Sequence, residues 1–332
     1  MRVFRSCFML LTGFMISHSA CAWNADGHHT VGALAGKLIV GTHAATGVKS
    51  VLGKLSLKDA AVWADCAKGI DPSNGFKYTH PGKYPECKIY ETTQGEAAMA
   101  DFVRRNFDNC APKPGEEICH KQYHYTDISI LKSEYDPTFV GARVDDVVAA
   151  INAAIHVLKG DAAPAPFDIK DKREALLVLT HYMGDLHQPL HVGAIYLDPS
   201  GQEVDPDASG FDPTTDTRGG NNLLVGGKSF HILWDGIPTA MTVPNISTAW
   251  VKKAAALPTT SGDIYGWSRQ WGTDTLLQAH KVFVGVQFDA RVGAHWNTKL
   301  PAGYTTRANK IKKTQLTAAG AHLAQILQAI WP

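Results

Sequence analysis

Two segments of the chain set a histidine and an aspartate four residues apart: His181-Tyr-Met-Gly-Asp185 and His231-Ile-Leu-Trp-Asp235. On a helix each pair projects from one face, close enough to share a cation. The run His187-Gln-Pro-Leu-His191 follows the first pair directly. One such pair is ordinarily a helix-surface hydrogen bond, but two pairs and a further histidine within about fifty residues point to a metal site. Imidazole nitrogen mixed with carboxylate oxygen, without a Cys-x-x-Cys knuckle, suits zinc better than calcium or magnesium. Further ligands are offered by Trp23 to His28, by Trp63-Ala-Asp65, and by Tyr123-His124-Tyr125-Thr126-Asp127. Taken singly, each has an ordinary explanation as a cap, a solvated carboxylate or a core histidine.

Helices must position these residues. Apolar side chains recur at three-to-four spacing over 27–40, 57–67, 96–107, 145–158, 171–186, 263–284 and 310–330, which predicts helix in each. Asp171 followed by Glu174 reads as a capping-box-like start for the helix that carries His181 and Asp185. Alternating strand patterns are few and short, so the expected fold class is all-α with long loops. The clearest loop, 198–222, is rich in Pro, Gly, Asp and Ser and links the two His–Asp pairs. A loop of that length is more often functional or disordered than a plain connector. No linker separates helices that would share one metal centre, so residues 23–332 are expected to form a single catalytic domain.

The first 22 residues read as a secretory signal: Arg2 and Arg5, an apolar core over 8–16, and the small-residue site Ala20-Cys21-Ala22. Cleavage there would make Trp23 the new amino terminus. A lipoprotein reading of Cys21 is disfavoured, because His18 stands where that signal wants an aliphatic residue. No later run is long and apolar enough to span a bilayer, so the expectation is a secreted or periplasmic protein with no membrane partner. Cys66, Cys87, Cys110 and Cys119 are an even number in an exported chain, which favours two disulfides in one of three pairings. With 32 basic and 31 acidic residues the formal charge is +1, so composition gives no broad basic face for nucleic acid.

The ordered set Trp23-Asn-Ala-Asp-Gly-His28, Trp-Ala-Asp65, His124-Tyr, His181-x-x-x-Asp185-x-x-Gln-Pro-Leu-His191, Gly-Gly-Asn221 and His231-x-x-Trp-Asp235 closely resembles the zinc-dependent S1/P1 nuclease family. The resemblance implies a phospholipase C/P1 nuclease-like helical fold and three zinc ions per chain. Asp65, His124, His181 and Asp185 would bind the first; His191, His231 and Asp235 the second. The third would take the Trp23 amine and carbonyl oxygen, His28 and a bridging Asp185. The implied reaction is hydrolysis of phosphodiester bonds in single-stranded DNA and RNA to 5′-phosphate products, by hydroxide generated at the metal, with 3′-nucleotidase activity besides. Asp65 would orient the attacking group. Lys68 stands where family members often carry arginine, and as a point charge it lacks the bidentate fork. Tyr125 would stack a base, Asp127 would accept base N–H groups, and Asn221 and Asn222 would bond to phosphate or zinc-bound water. His187 reads as a packing or supporting histidine rather than a ligand. The oligomeric expectation is a monomer.

Two other readings compete. A zinc-dependent phospholipase C has the same fold and zinc arrangement, but normally carries glutamate where this chain has Asp235, and leaves Tyr125 and Asp127 without a use. A non-catalytic exported zinc protein would use the ligands but not Lys68, Tyr125 or Asp127.

Overall fold

The computed structural model describes residues 23–110 and 119–332, so the expected leader, 1–22, lies outside the described residues. Twelve helices follow in chain order among them: α1 (Ala25–Leu38), α2 (His43–Leu52), α3 (Leu57–Ala60), α4 (Trp63–Ala67), α5 (Thr93–Arg105), α6 (Val147–Lys159), α7 (Lys172–Asp185), α8 (Pro206–Ser209), α9 (Phe230–Asp235), α10 (Thr248–Ala255), α11 (Ile264–Phe283) and α12 (Tyr304–Ile330). The fold is all-α in character, as the spacing predicts. None of these helices is long and apolar enough to cross a membrane.

Helix α7 is the centre of the fold. Asp171 caps its start by accepting the Glu174 N–H at 2.8 Å, and every residue from Glu174 to Asp185 is buried. Helices α1, α6 and α12 pack around it, and their apolar faces form the main core. A second apolar cluster holds Leu190, Phe230, Trp234, Phe283, Trp296 and Tyr304. It lies under a small sheet that the sequence patterns do not announce. Its strand order is Lys228–Ser229, Leu223–Val225, Trp296–Lys299, Gln287–Phe288, with the central pair parallel in the register Leu223 to Trp296.

Three helical expectations need correction. The 57–67 segment is not one helix but two, α3 and α4, because the chain turns at Ala61, whose carbonyl is taken by His181. Helix α12 begins at Tyr304 rather than near 310, since Tyr304 and Ala308 are buried in the second cluster. Helices α2 and α10 are additional: their buried stripes are only Ala44, Val48, Leu52 and Trp250, Ala254, too sparse to stand out in the sequence. Of the three possible cysteine pairings, the fold forms Cys66–Cys87 and Cys110–Cys119.

Candidate metal centre

On α7, the side chains of His181 and Asp185 project together, as their spacing requires. The His181 Nδ1–H donates to the Ala61 carbonyl at 2.6 Å, which leaves Nε2 as the lone-pair nitrogen. That nitrogen lies 3.1 Å from Asp185 Oδ2 and 3.0 Å from His124 Nδ1. His124 Nδ1 in turn lies 2.9 Å from the same Asp185 oxygen. Asp65 arrives on α4, with Oδ1 3.6 Å from His181 Nε2. His28 arrives on α1 and stacks on the His181 ring, centroids 3.9 Å apart and planes 14° from parallel. Its Nε2 is 3.4 Å from Asp185 Oδ1. This approach depends on Gly184, because a Cβ there would come within 2.7 Å of His28 Nδ1. Trp23 is fully buried, packed against Gly27 and near Gly184.

His191 and His231 form a separate group with Asp235. His191 Nδ1–H donates to the His124 carbonyl at 2.8 Å, and His231 Nδ1–H donates to the Gly219 carbonyl at 2.7 Å. Both Nε2 atoms are therefore unprotonated, and they face each other at 3.0 Å. Two lone pairs in that arrangement repel unless a cation is shared between them. Asp235 Oδ1 lies 3.5 Å from His231 Nε2 and accepts a hydrogen bond from Gln188 Nε2 at 2.8 Å.

Three donor sets are thus able to hold a cation: His28, His181 and Asp185; Asp65, His124 and His181; and His191, His231 and Asp235, with donor atoms in each within 4.8 Å of one another. His181 faces two of them. Among the described residues, both ring nitrogens of His28, His124 Nε2 and Asp185 Oδ1 are buried with no hydrogen-bond partner. Buried polar atoms are normally paired, so this concentration of unmet lone pairs and ring nitrogens fits a cluster built around divalent cations.

The electrostatics agree. Burial alone would raise Asp185, but His181, then His124 and His28, overcome it and hold the carboxyl well below the ordinary carboxylate range. Asp65 is likewise burdened by burial and held low by Lys68 and the histidines. Burial opposes the charged form of His181, yet Asp185 and Asp65 raise it overall. These carboxylates favour the charged imidazole, so a bound cation would compete with a proton for His181. Burial pulls His191 down to about 4 and His231 to about 3, and it pushes Asp235 well above the carboxylate range.

The remaining expected residues lie around these donors. Lys68 Nζ is 2.9 Å from Asp65 Oδ1, with its side chain 6% exposed. Tyr125 is half-buried beside His124. Asp127 is buried, and its Oδ1 is 3.5 Å from where a Cβ on Gly219 would stand, next to the His231 group. Asn221 and Asn222 each donate a side-chain N–H to a carbonyl of their own loop, those of Arg218 and Asp216. His187 turns to α12, with Nδ1 on the Met183 carbonyl and Nε2 2.8 Å from His322 Nδ1.

Sequence reasoning misses the groups that orient the ligands through backbone or at long range. The Ala61, His124 and Gly219 carbonyls leave no residue-type signal. Gly219 adopts a positive φ of 57°, and a Cβ on it would meet the Leu190 carbonyl at 2.5 Å; the Gly219-Gly220 pair is the trace it leaves in the sequence. The end of the 198–222 loop therefore serves to aim His231.

Comparison with known proteins follows the same residues. The sequence pattern of the S1/P1 Nuclease family matches residues 94–332, a span that contains His124, His181, Asp185, His191, His231 and Asp235. Trp23, His28, Asp65 and Lys68 precede it. Endonuclease 5 of Arabidopsis thaliana is 26% identical over 180 residues, which make up 53% of this chain and 48% of that protein. The chain thus spans about half the length of this curated relative.

Proposed function

The chain belongs to the S1/P1 nuclease family, and from that premise we propose that it is an exported, monomeric, single-domain zinc enzyme. In this reading it hydrolyses phosphodiester bonds of single-stranded DNA and RNA to 5′-phosphate products, and it also acts as a 3′-nucleotidase. The observation that carries the reading is the pair of opposed Nε2 atoms of His191 and His231, 3.0 Å apart, with each Nδ1 committed to a backbone carbonyl. Zinc is favoured by a donor set of imidazole nitrogen and carboxylate oxygen without thiolate.

Asp65, His124, His181 and Asp185 would hold one ion, His191, His231 and Asp235 a second, and the Trp23 amine and carbonyl with His28 and Asp185 a third. When bound, zinc supplies Lewis acidity toward a phosphate oxygen and toward water. The chain's own groups do the rest. Asp65, whose carboxyl stays ionised, would orient the attacking water. The Lys68 ammonium, held beside Asp65, would balance charge gathering on the phosphate oxygens. Tyr125 would stack a base without regard to its identity, and Asp127 would accept base N–H donors. Asn221 and Asn222 spend side-chain hydrogens on their own loop, which supports a role in shaping the turn before Gly219, and in this reading they would contact phosphate besides.

The test is hydrolysis of denatured DNA, RNA, a 3′-mononucleotide and phosphatidylcholine by protein starting at Trp23, with and without chelator. Turnover of the first three, abolished by chelation and restored by zinc, is expected. Lipid turnover alone, or nucleic-acid turnover indifferent to chelator, would defeat the reading.

A further inference from the structure

Helix α9 has six residues, too few to persist on local hydrogen bonds, yet it carries His231 and Asp235. Its apolar side is anchored by Phe230 and Trp234, both fully buried, and the Trp234 indole N–H donates to the Tyr304 hydroxyl at 2.8 Å. Carbonyls at the end of a helix have no partners within it. Here they are taken from outside. The Asn24 N–H donates to the Asp235 carbonyl at 2.9 Å, and Lys312 Nζ donates to the Leu233 carbonyl at 2.7 Å and the Gly236 carbonyl at 2.6 Å.

Lys312 comes from α12, 76 residues beyond Gly236. It is 4% exposed, and its ammonium sits 5.5 Å from the centre of the Trp234 ring. Burying an ammonium costs free energy unless specific partners repay it, and core packing on α12 alone would be served by an apolar side chain. The partners it has are carbonyls at the end that carries Asp235. We infer that Lys312 is a positioning residue for the His191, His231 and Asp235 cation group, pinning the end of α9 so that the Asp235 carboxylate stays directed at the two imidazoles. The inference rests on the proposal that this group holds zinc.

Zinc titration of metal-stripped protein against a competing chromophoric chelator, with helical content followed by circular dichroism, tests it without reference to catalysis. In Lys312→Met one zinc site is expected to weaken roughly 10–100-fold, the range typical of groups that orient metal ligands, with the other sites unmoved and the helical signal kept. Lys312→Arg, which keeps charge and donors, should recover most of that affinity. Lys310→Met, an exposed lysine on the same helix, should titrate as the parent. A folded Lys312→Met that binds every zinc as the parent does overturns the inference, as does a variant that only melts earlier, by the same amount with and without zinc. If Lys312→Met does not fold, Lys312→Gln is compared with Lys312→Arg: weaker binding at one site in the glutamine variant supports the inference, and equal binding overturns it. A parent protein lacking the site altogether would instead remove the zinc reading and leave the hydrogen bonds of Lys312 a matter of folding alone.

Discussion

In α7, His181 and Asp185 sit at the end of a 14-residue helix buried from Glu174 onward, whereas in α9 the same spacing rides on six residues held from outside by Ser229, Gln188, Asn24 and Lys312. The electrostatics differ in the same sense. Asp185 faces three histidines that hold it ionised, while burial pushes Asp235 toward the neutral form and the Gln188 hydrogen bond offsets it only in part. One spacing therefore yields a donor pair set in place by the core, and another that is held in place by contacts from outside its helix. A sequence motif specifies which atoms can meet; the packing around it decides how much the meeting depends on the ion.

The largest expected effect breaks the α7 side. Asp185→Asn removes the carboxylate that faces His28, His124 and His181, so zinc content should fall by more than one ion and nucleic-acid turnover by roughly a thousandfold or more. Asp235→Asn should cost one ion. Elemental analysis beside turnover separates the two, and equal losses would erase the distinction between the helices. Next comes the amino terminus. A chain with one residue added before Trp23 keeps every side chain but loses an α-amine whose free pKa is about 7.7–8.0, so zinc should drop toward two per chain with helical content retained. Full zinc and full turnover in that protein would exclude Trp23 as a ligand.

A smaller effect concerns metal-free protein and pH. His191 and His231 lie below the ordinary histidine value of 6.5, at about 4 and about 3, so the unfolded chain takes up their protons first as pH falls. Their contribution is complete above 6.5 and is lost as pH drops toward 4 and then 3. His181, raised by its carboxylates, has the opposite sign: its contribution is present below 6.5 and fades as pH rises through its folded value. In chelator, the urea midpoint should fall between pH 7 and 4.5, and His231→Asn should lessen the fall. A fall as large in His231→Asn as in the parent would show that the pair does not carry it. The smallest effect is at the substrate. Tyr125→Ala should weaken binding by roughly 1–3 kcal/mol whichever base is present, measured as the change in KM or Kd on homopolymers. Unchanged binding would move Tyr125 out of the strand's path.

What the sequence makes legible is what has a local period. His181 with Asp185 and His231 with Asp235 are visible because a helix turn brings positions four apart together, and α7 can be placed because Asp171 and Glu174 mark its start. Asp65, His124 and His28 come to the centre from distant segments, so only the resemblance to a family brings them together before the fold does. The partners of His181, His191 and His231 are carbonyls, and every residue has a carbonyl. Lys312 is invisible for another reason: on α12 it reads as one more basic residue in Lys310-Ile-Lys-Lys313, and only the fold shows that it points inward. The single-helix expectation for 57–67 fails where tertiary demand, the His181 bond to Ala61, outweighs local propensity.

Gly184 sits within α7, where by helix preference alone alanine would be better by roughly 1 kcal/mol. The volume an alanine methyl would occupy already belongs to the imidazole of His28. Anyone seeking a hardier protein by the usual glycine-to-alanine exchange would meet a trade at this residue: a firmer helix in return for a displaced donor, although no donor had been touched. The position thus acts as a ligand by omission, and its constraint would be recorded in a family of such chains as a glycine that helix propensity alone cannot explain.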